Sequence, residues 1–229
     1  MIISDVMVVV SFRQDNFIGL KKQKIDQYFG RVVPKPSVAA DLADSADAAL
    51  PRFTIKDGAA AIGVSQVSAH LFAALAKGIE FKTAQDSVLK YLEGLYAAAA
   101  ELQGKQNILN TGLIATFIKE IPGARYDGLC SSLFKAYSSM EPLGDILNYT
   151  FRSAFKTRDN LFLGLDAGAY ERKDEKGALS GGYILKADIN DKPASVLSAG
   201  YDADAGIASI KKAFISLAEG VVENIFKKI

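Results

Sequence analysis

An α+β fold built on mostly antiparallel sheet is what this sequence predicts, and three observations predict it. Strand-like runs follow one another through short polar turns, first over residues 52–71 and again over 145–190. A long amphipathic helical pattern lies between these two regions, ending at Gly104. A second amphipathic pattern closes the chain, with apolar residues at helical spacing from Ile207 to Ile225.

Each element follows from its own pattern. Val6, Val8, Val10 and Phe12 alternate with Met7, Val9 and Ser11, so both faces are largely apolar, as in an interior strand. Over 16–29, Ile18, Ile25 and Phe29 with Lys21, Lys22 and Lys24 between them read as a short helix with a solvated lysine face. Pro34, Pro36 and Pro51 bracket an Ala/Asp-rich stretch that reads as a loop or lid. Residues 52–57 and 60–71 read as two strands joined at Asp57-Gly58. Thr83 is the expected cap of the long helix, with Asp86 three residues on and Val88, Leu92, Leu95, Ala99 and Leu102 along one face.

The run 107–121 is too apolar for a surface strand and belongs in the middle of a sheet, stopped by Pro122-Gly123. Asp127 then caps a helix that buries Leu129, Leu133, Phe134 and Tyr137. From Asp145 onward the pattern is a three-stranded meander, with turns near Thr157-Arg158-Asp159 and over 171–177. In the terminal helix Ile207, Ile210, Phe214, Leu217, Val221 and Ile225 point inward, and Lys227 and Lys228 sit at its negative end. The meander therefore packs, with the rest of the sheet, against a long central helix and a C-terminal amphipathic helix. A single domain over 1–229 accommodates this order, as do two subdomains of about 1–122 and 123–229.

Composition narrows the function classes. The chain has 229 residues, 27 basic against 26 acidic, so no excess of positive charge argues for nucleic acid as a partner. Cys130 is the single cysteine and His70 the single histidine. An internal disulfide and a multi-histidine zinc site are thereby excluded. Cys130 reads as a core thiol, and His70 as a hydrogen-bonded structural residue. GALSGG at 177–182 lacks the Gly-Lys-Ser/Thr ending of a phosphate loop and reads as a hairpin connection. No nucleophile elbow or zinc-protease motif occurs, and no catalytic residue, metal ligand or cofactor is assigned. The N-terminal run lacks the basic start and small-residue cleavage site of a signal peptide. Residues 58–76 carry no charge but are rich in Ala and Gly, which makes a poor membrane span. A cytoplasmic protein without membrane partners is expected.

One constellation stands out. If Phe155, Phe151 and Tyr149 face Leu161, Leu165 and Ala167, parity puts Arg152 and Asn148 on the opposite face with Asp166, flanked by Gly164 and Gly168. Lys186, Asp188 and Asn190 lie on a polar side of the next strand by the same alternation. Asn148, Arg152, Asp166, Lys186 and Asp188 are therefore the candidate ligand- or partner-binding residues. The competing description is a solvated face with cross-strand ion pairs.

The opening strand ending in Ser11-Phe12-Arg13, the proline-bearing loop, and the long helix leading into NTGLIATFIKEIP (110–122) form a layout. Together with YILKADIND (183–191) and the terminal helix, it resembles a sporadically distributed family of uncharacterised bacterial proteins. This chain has Ile114-Ala115-Thr116-Phe117 where that family has an aromatic, Arg-Tyr-rich strand. The resemblance implies no activity. Patchy occurrence implies an accessory role, such as defence.

The function expected is a non-enzymatic interaction component of such a system, with another protein as partner. The alternative is a small-molecule-binding or enzymatic α+β domain using the polar face of the C-terminal sheet, with 34–51 as its lid. The terminal helix pattern suits a monomer and a homo-oligomer equally.

Overall fold

The computed structural model describes residues 1–33, 37–40 (backbone only), 47–139, 144–173, 177, 179–192 and 201–229. Its centre is one antiparallel sheet in which nine strands are described: β1 (Ile2–Phe12), β2 (Ser37–Ala40), β3 (Phe53–Asp57), β4 (Ala60–Val64), β5 (Ser68–Ala74), β6 (Ile108–Pro122), β7 (Thr150–Lys156), β8 (Phe162–Lys173) and β9 (Leu179–Asn190). The spatial order is β2-β3-β4-β5-β1-β6-β9-β8-β7. The long strands β1 and β6 lie side by side in the middle, and β6 pairs with β9 across the junction of the two sequence halves. The α+β fold with its C-terminal meander is present as the alternation predicts.

Helices α1 (Lys22–Phe29), α2 (Phe81–Gln103), α3 (Tyr126–Tyr137), α4 (Ala203–Ser216) and α5 (Val222–Lys228) supply the second layer. α2 crosses β1, β5 and β6, α4 packs on β6 and β9, and α3 covers β7, β8 and β9. Their apolar residues meet one face of the sheet: Val6, Val8 and Val10 of β1, Leu113 and Phe117 of β6, Leu185 and Ile189 of β9. Phe214 of α4 lies 6.4 Å from Phe117, ring to ring. No described helix packs on the other face.

Several local expectations change. Residues 60–71 form part of two strands, β4 and β5, because the Ser65 hydroxyl accepts the Val67 and Ser68 amides and closes a tight turn. The 34–51 segment is not loop throughout: Ser37–Ala40 pairs with β3, while 34–36 and 41–46 fall outside the described residues. α2 begins at Phe81, packed against the core, so Thr83 lies inside the first turn and caps nothing. Asp127 likewise sits within the first turn of α3, whose Tyr126 amide is satisfied by the Glu171 carboxylate of β8 at 2.8 Å. Phe134 and Tyr137 are only half-buried there.

A π-turn over Leu217–Val221 joins α4 to α5. Its extra residue rotates the following turn, so Val222 and Phe226 are buried, while Val221 is exposed and Ile225 only half-buried. The glycines Gly181 and Gly182 belong to β9, not to a connection. Residues 58–76 become a turn and two strands, and no helix among the described residues is long and apolar enough to cross a membrane.

Candidate functional site on the uncovered sheet face

Strand parity fixes what the uncovered face displays. Pairing aligns one row across the sheet as Lys56, Ala61, Phe72, Met7, Ile114, Asp188, Gly164 and Ala154. The rows on either side bring His70, Val9, Gly112, Asn190 and Phe162 together, and Asp5, Thr116, Lys186, Asp166 and Arg152. Met7, Val9, Phe72 and Ile114 make the middle of this face largely apolar, with Asp5 at its border accepting from the Thr116 hydroxyl at 2.8 Å, and its β7–β9 end is charged. Phe72 is 49% exposed and projects from it.

Four of the five candidate residues meet at the charged end. Arg152 stands directly opposite Asp166, and Asp166 directly opposite Lys186. The Arg152 Nη2 donates to Asp166 Oδ2 at 2.5 Å and Nε donates to the same oxygen at 3.1 Å. Arg152 is well exposed and Asp166 half-exposed, so this pair orients charge more than it stabilises the fold. Asp188, opposite Gly164, accepts from Asn190 Nδ2 at 3.1 Å. Lys186 has no ion-pair partner among the described residues.

A depression of about 360 Å³ lies here, lined among others by Ile114, Arg152, Phe162, Asp166, Lys186 and Asp188. Glycine at 164 leaves its floor low, because a Cβ there would come within 3.1 Å of the Phe162 ring.

Asn148 is not part of this group. β7 starts only at Thr150, and Asn148 lies in the preceding exposed segment, where its Oδ1 accepts from the Tyr126 hydroxyl at 2.8 Å. Alternation carried into this segment predicted otherwise, and it stops at the strand end. Leu147, in the same preceding segment, is 79% exposed.

Sequence reasoning passed over two features. The apolar half of the uncovered face was hidden because β1 and β6 are apolar on both sides, which reads as burial on both sides. The second feature is Asp191, fully buried just past β9. Its Oδ1 accepts the Thr111 amide at 2.7 Å, and its Oδ2 accepts the Tyr201 hydroxyl. Burial pushes this carboxyl up, against the hydrogen bonds that pull it down. Gly206 lets α4 approach it, since a Cβ there would collide with Oδ2. The arrangement ties the start of α4 to the sheet. Only the late aspartate in ADIND hinted at it.

The remaining titratable candidates behave as expected. His70 stands exposed on the uncovered face with its Nε2 2.6 Å from the Ser68 hydroxyl, and partial desolvation against the sheet holds its pKa below 6.5. Cys130 is a buried free thiol. No cluster of three or more His, Cys, Asp or Glu able to hold a metal occurs among the described residues. The chain matches no model of a known protein family, and no curated protein matches it.

Proposed function

We propose that this protein is a non-enzymatic interaction component that holds a partner protein against the uncovered face of its sheet. The observation carrying this reading is the one-sidedness of the sheet: helices bury one face, while the other offers Phe72, Met7, Ile114 and Phe162 beside the Arg152–Asp166–Lys186–Asp188 group. An apolar strip with a charged end supplies contact area and orientation together, which is how protein interfaces are divided. The depression is lined mostly by exposed and half-buried side chains and lacks a paired nucleophile and base, so partner contact is favoured over catalysis. An accessory role, defence included, and a cytoplasmic setting belong to the same proposal, supported by the family layout the sequence resembles.

The test is affinity for the co-purified partner across three variants. Arg152→Ala, Asp188→Ala and Phe72→Ser each remove an exposed or half-exposed group and leave the melting temperature within about 3 °C. Each weakens partner binding about 10-fold or more. Unchanged affinity in all three removes this face as the interface. A bound species of a few hundred daltons in place of a polypeptide favours the small-molecule reading.

A further inference from the structure

The second surface is an edge and not a face. β7 is the last of the described strands, and no described residue pairs with its outer side. The 157–161 hairpin shows which backbone groups point there. The Thr157 amide donates to the Leu161 carbonyl at 2.8 Å and Asn160, at φ +59°, closes the loop. Counting back through the register, Phe151, Ser153 and Phe155 direct their amides and carbonyls to β8. Thr150, Arg152, Ala154 and Lys156 therefore direct theirs outward. Such an edge pairs readily with another strand unless something covers it.

The side chains select one occupant. Phe155 is 50% exposed at one end of the strand, on the helix-covered side of the sheet, and Leu147 is exposed just beyond the other end. A two-fold axis makes edge strands antiparallel, and outward-pointing residues must pair with outward-pointing residues. Centring the axis on Ser153 pairs all seven residues of β7 with those of a second copy. Phe151 then faces Phe155 of the other chain twice over, extending the stack of Phe151 on Tyr137 whose centroids are 4.9 Å apart. Arg152 faces Ala154, and Lys156 faces Thr150. Moving the centre to Arg152 sets two arginines opposite each other. Moving it to Ala154 sets Arg152 against Lys156 at both ends. Both shifts also lose pairs, so a single register suits the sequence.

We propose that the chain forms a two-fold homodimer by antiparallel pairing of β7 with β7 of a second copy, in the register that places the two Ser153 residues opposite each other. The two uncovered faces then join into one continuous surface. Arg152 of the second copy, opposite Ala154, lies at the rim of the depression. This inference rests on the strand edge and stands apart from the partner-binding reading. One strand pair is a small interface, so the dimer dissociates on dilution, with a Kd of about 1–100 µM.

Sedimentation equilibrium of the full chain and cysteine cross-linking test this together. The chain is expected to pass from monomer to dimer with concentration, and Ala154→Pro, which removes an outward amide, to remain monomeric with its melting temperature kept. In a Cys130→Ser background, Ser153→Cys is expected to form an intermolecular disulfide at least 10-fold faster than Arg152→Cys, because position 153 faces itself and 152 does not. A chain monomeric throughout, or equal cross-linking at 152 and 153, overturns the proposal. So does a dimer that survives Ala154→Pro unchanged.

Discussion

Two buried or half-buried carboxylates pull the pH response of this protein in opposite directions. Burial pushes Asp15 up, but hydrogen bonds from Lys21, Gln103 and the Phe17 amide outweigh it, leaving the group below its ordinary 3.8. The stability Asp15 contributes is complete above the unfolded value and is lost as pH falls through the lower folded one. Asp191 is the reverse case, raised from 3.8 by burial. Its charged form costs stability above the folded value, and acidification through that value relieves the cost. Asp191→Asn mimics the protonated state. Its stability relative to the parent, read from urea melts, is expected to be highest at neutral pH and to decline as pH falls towards 3.8. A pH-independent difference contradicts the assignment. Gly182 gives a second residue-scale prediction. A Cβ there would strike the Lys119 carbonyl and approach the Glu120 Cα at 3.0 Å, both backbone groups of β6. Gly182→Ala is expected to cost about 2–4 kcal/mol in chemical denaturation, since no side chain can move aside.

Elements were legible where one pattern governed them and obscured where a side chain made a turn without Gly or Pro. The long helix, the central β6 and the meander follow directly from periodicity. The Ser65–Ser68 turn does not, because a hydroxyl closes it, and three strands read as two. The π-turn in the terminal helix is equally invisible to a 3.6-residue period, and it exchanges Val221 and Ile225 for Val222 and Phe226 at the core. Caps show the same limit. Thr83 and Asp127 have the right residue type, yet core packing of Phe81 and a distant Glu171 decide where those helices begin. The one side-chain cap in a described α-helix is Asp202, whose Oδ1 accepts from the Asp204 and Ala205 amides at 3.0 and 3.2 Å. Asp202→Ala is expected to destabilise by about 1 kcal/mol in thermal or urea unfolding. No measurable change would mean that contacts of Asp191 and Tyr201 alone hold this helix start.

For the whole molecule, the candidate site depends on a property that no single strand discloses: which face the helices leave uncovered. Parity joined Arg152 with Asp166 and Lys186 with Asp188 because those residues lie inside regular strands. It misplaced Asn148 because the regular strand begins only two residues later, at Thr150. The apolar half of the face depends on helix placement, which period-two alternation does not encode when both sides of β1 and β6 are apolar. Ile114 sits where the two halves meet, opposite Met7 on one side and Asp188 on the other. Ile114→Lys is therefore the most informative single change, since its ammonium can approach Asp188 while abolishing the apolar contact. The decisive measurement is native mass spectrometry of the tagged chain and its Ile114→Lys variant, isolated gently and side by side from their own host. A second polypeptide is expected on the parent chain and is expected to be lost from a folded variant. Equal retention on both, or only a small-molecule mass on the parent, contradicts it.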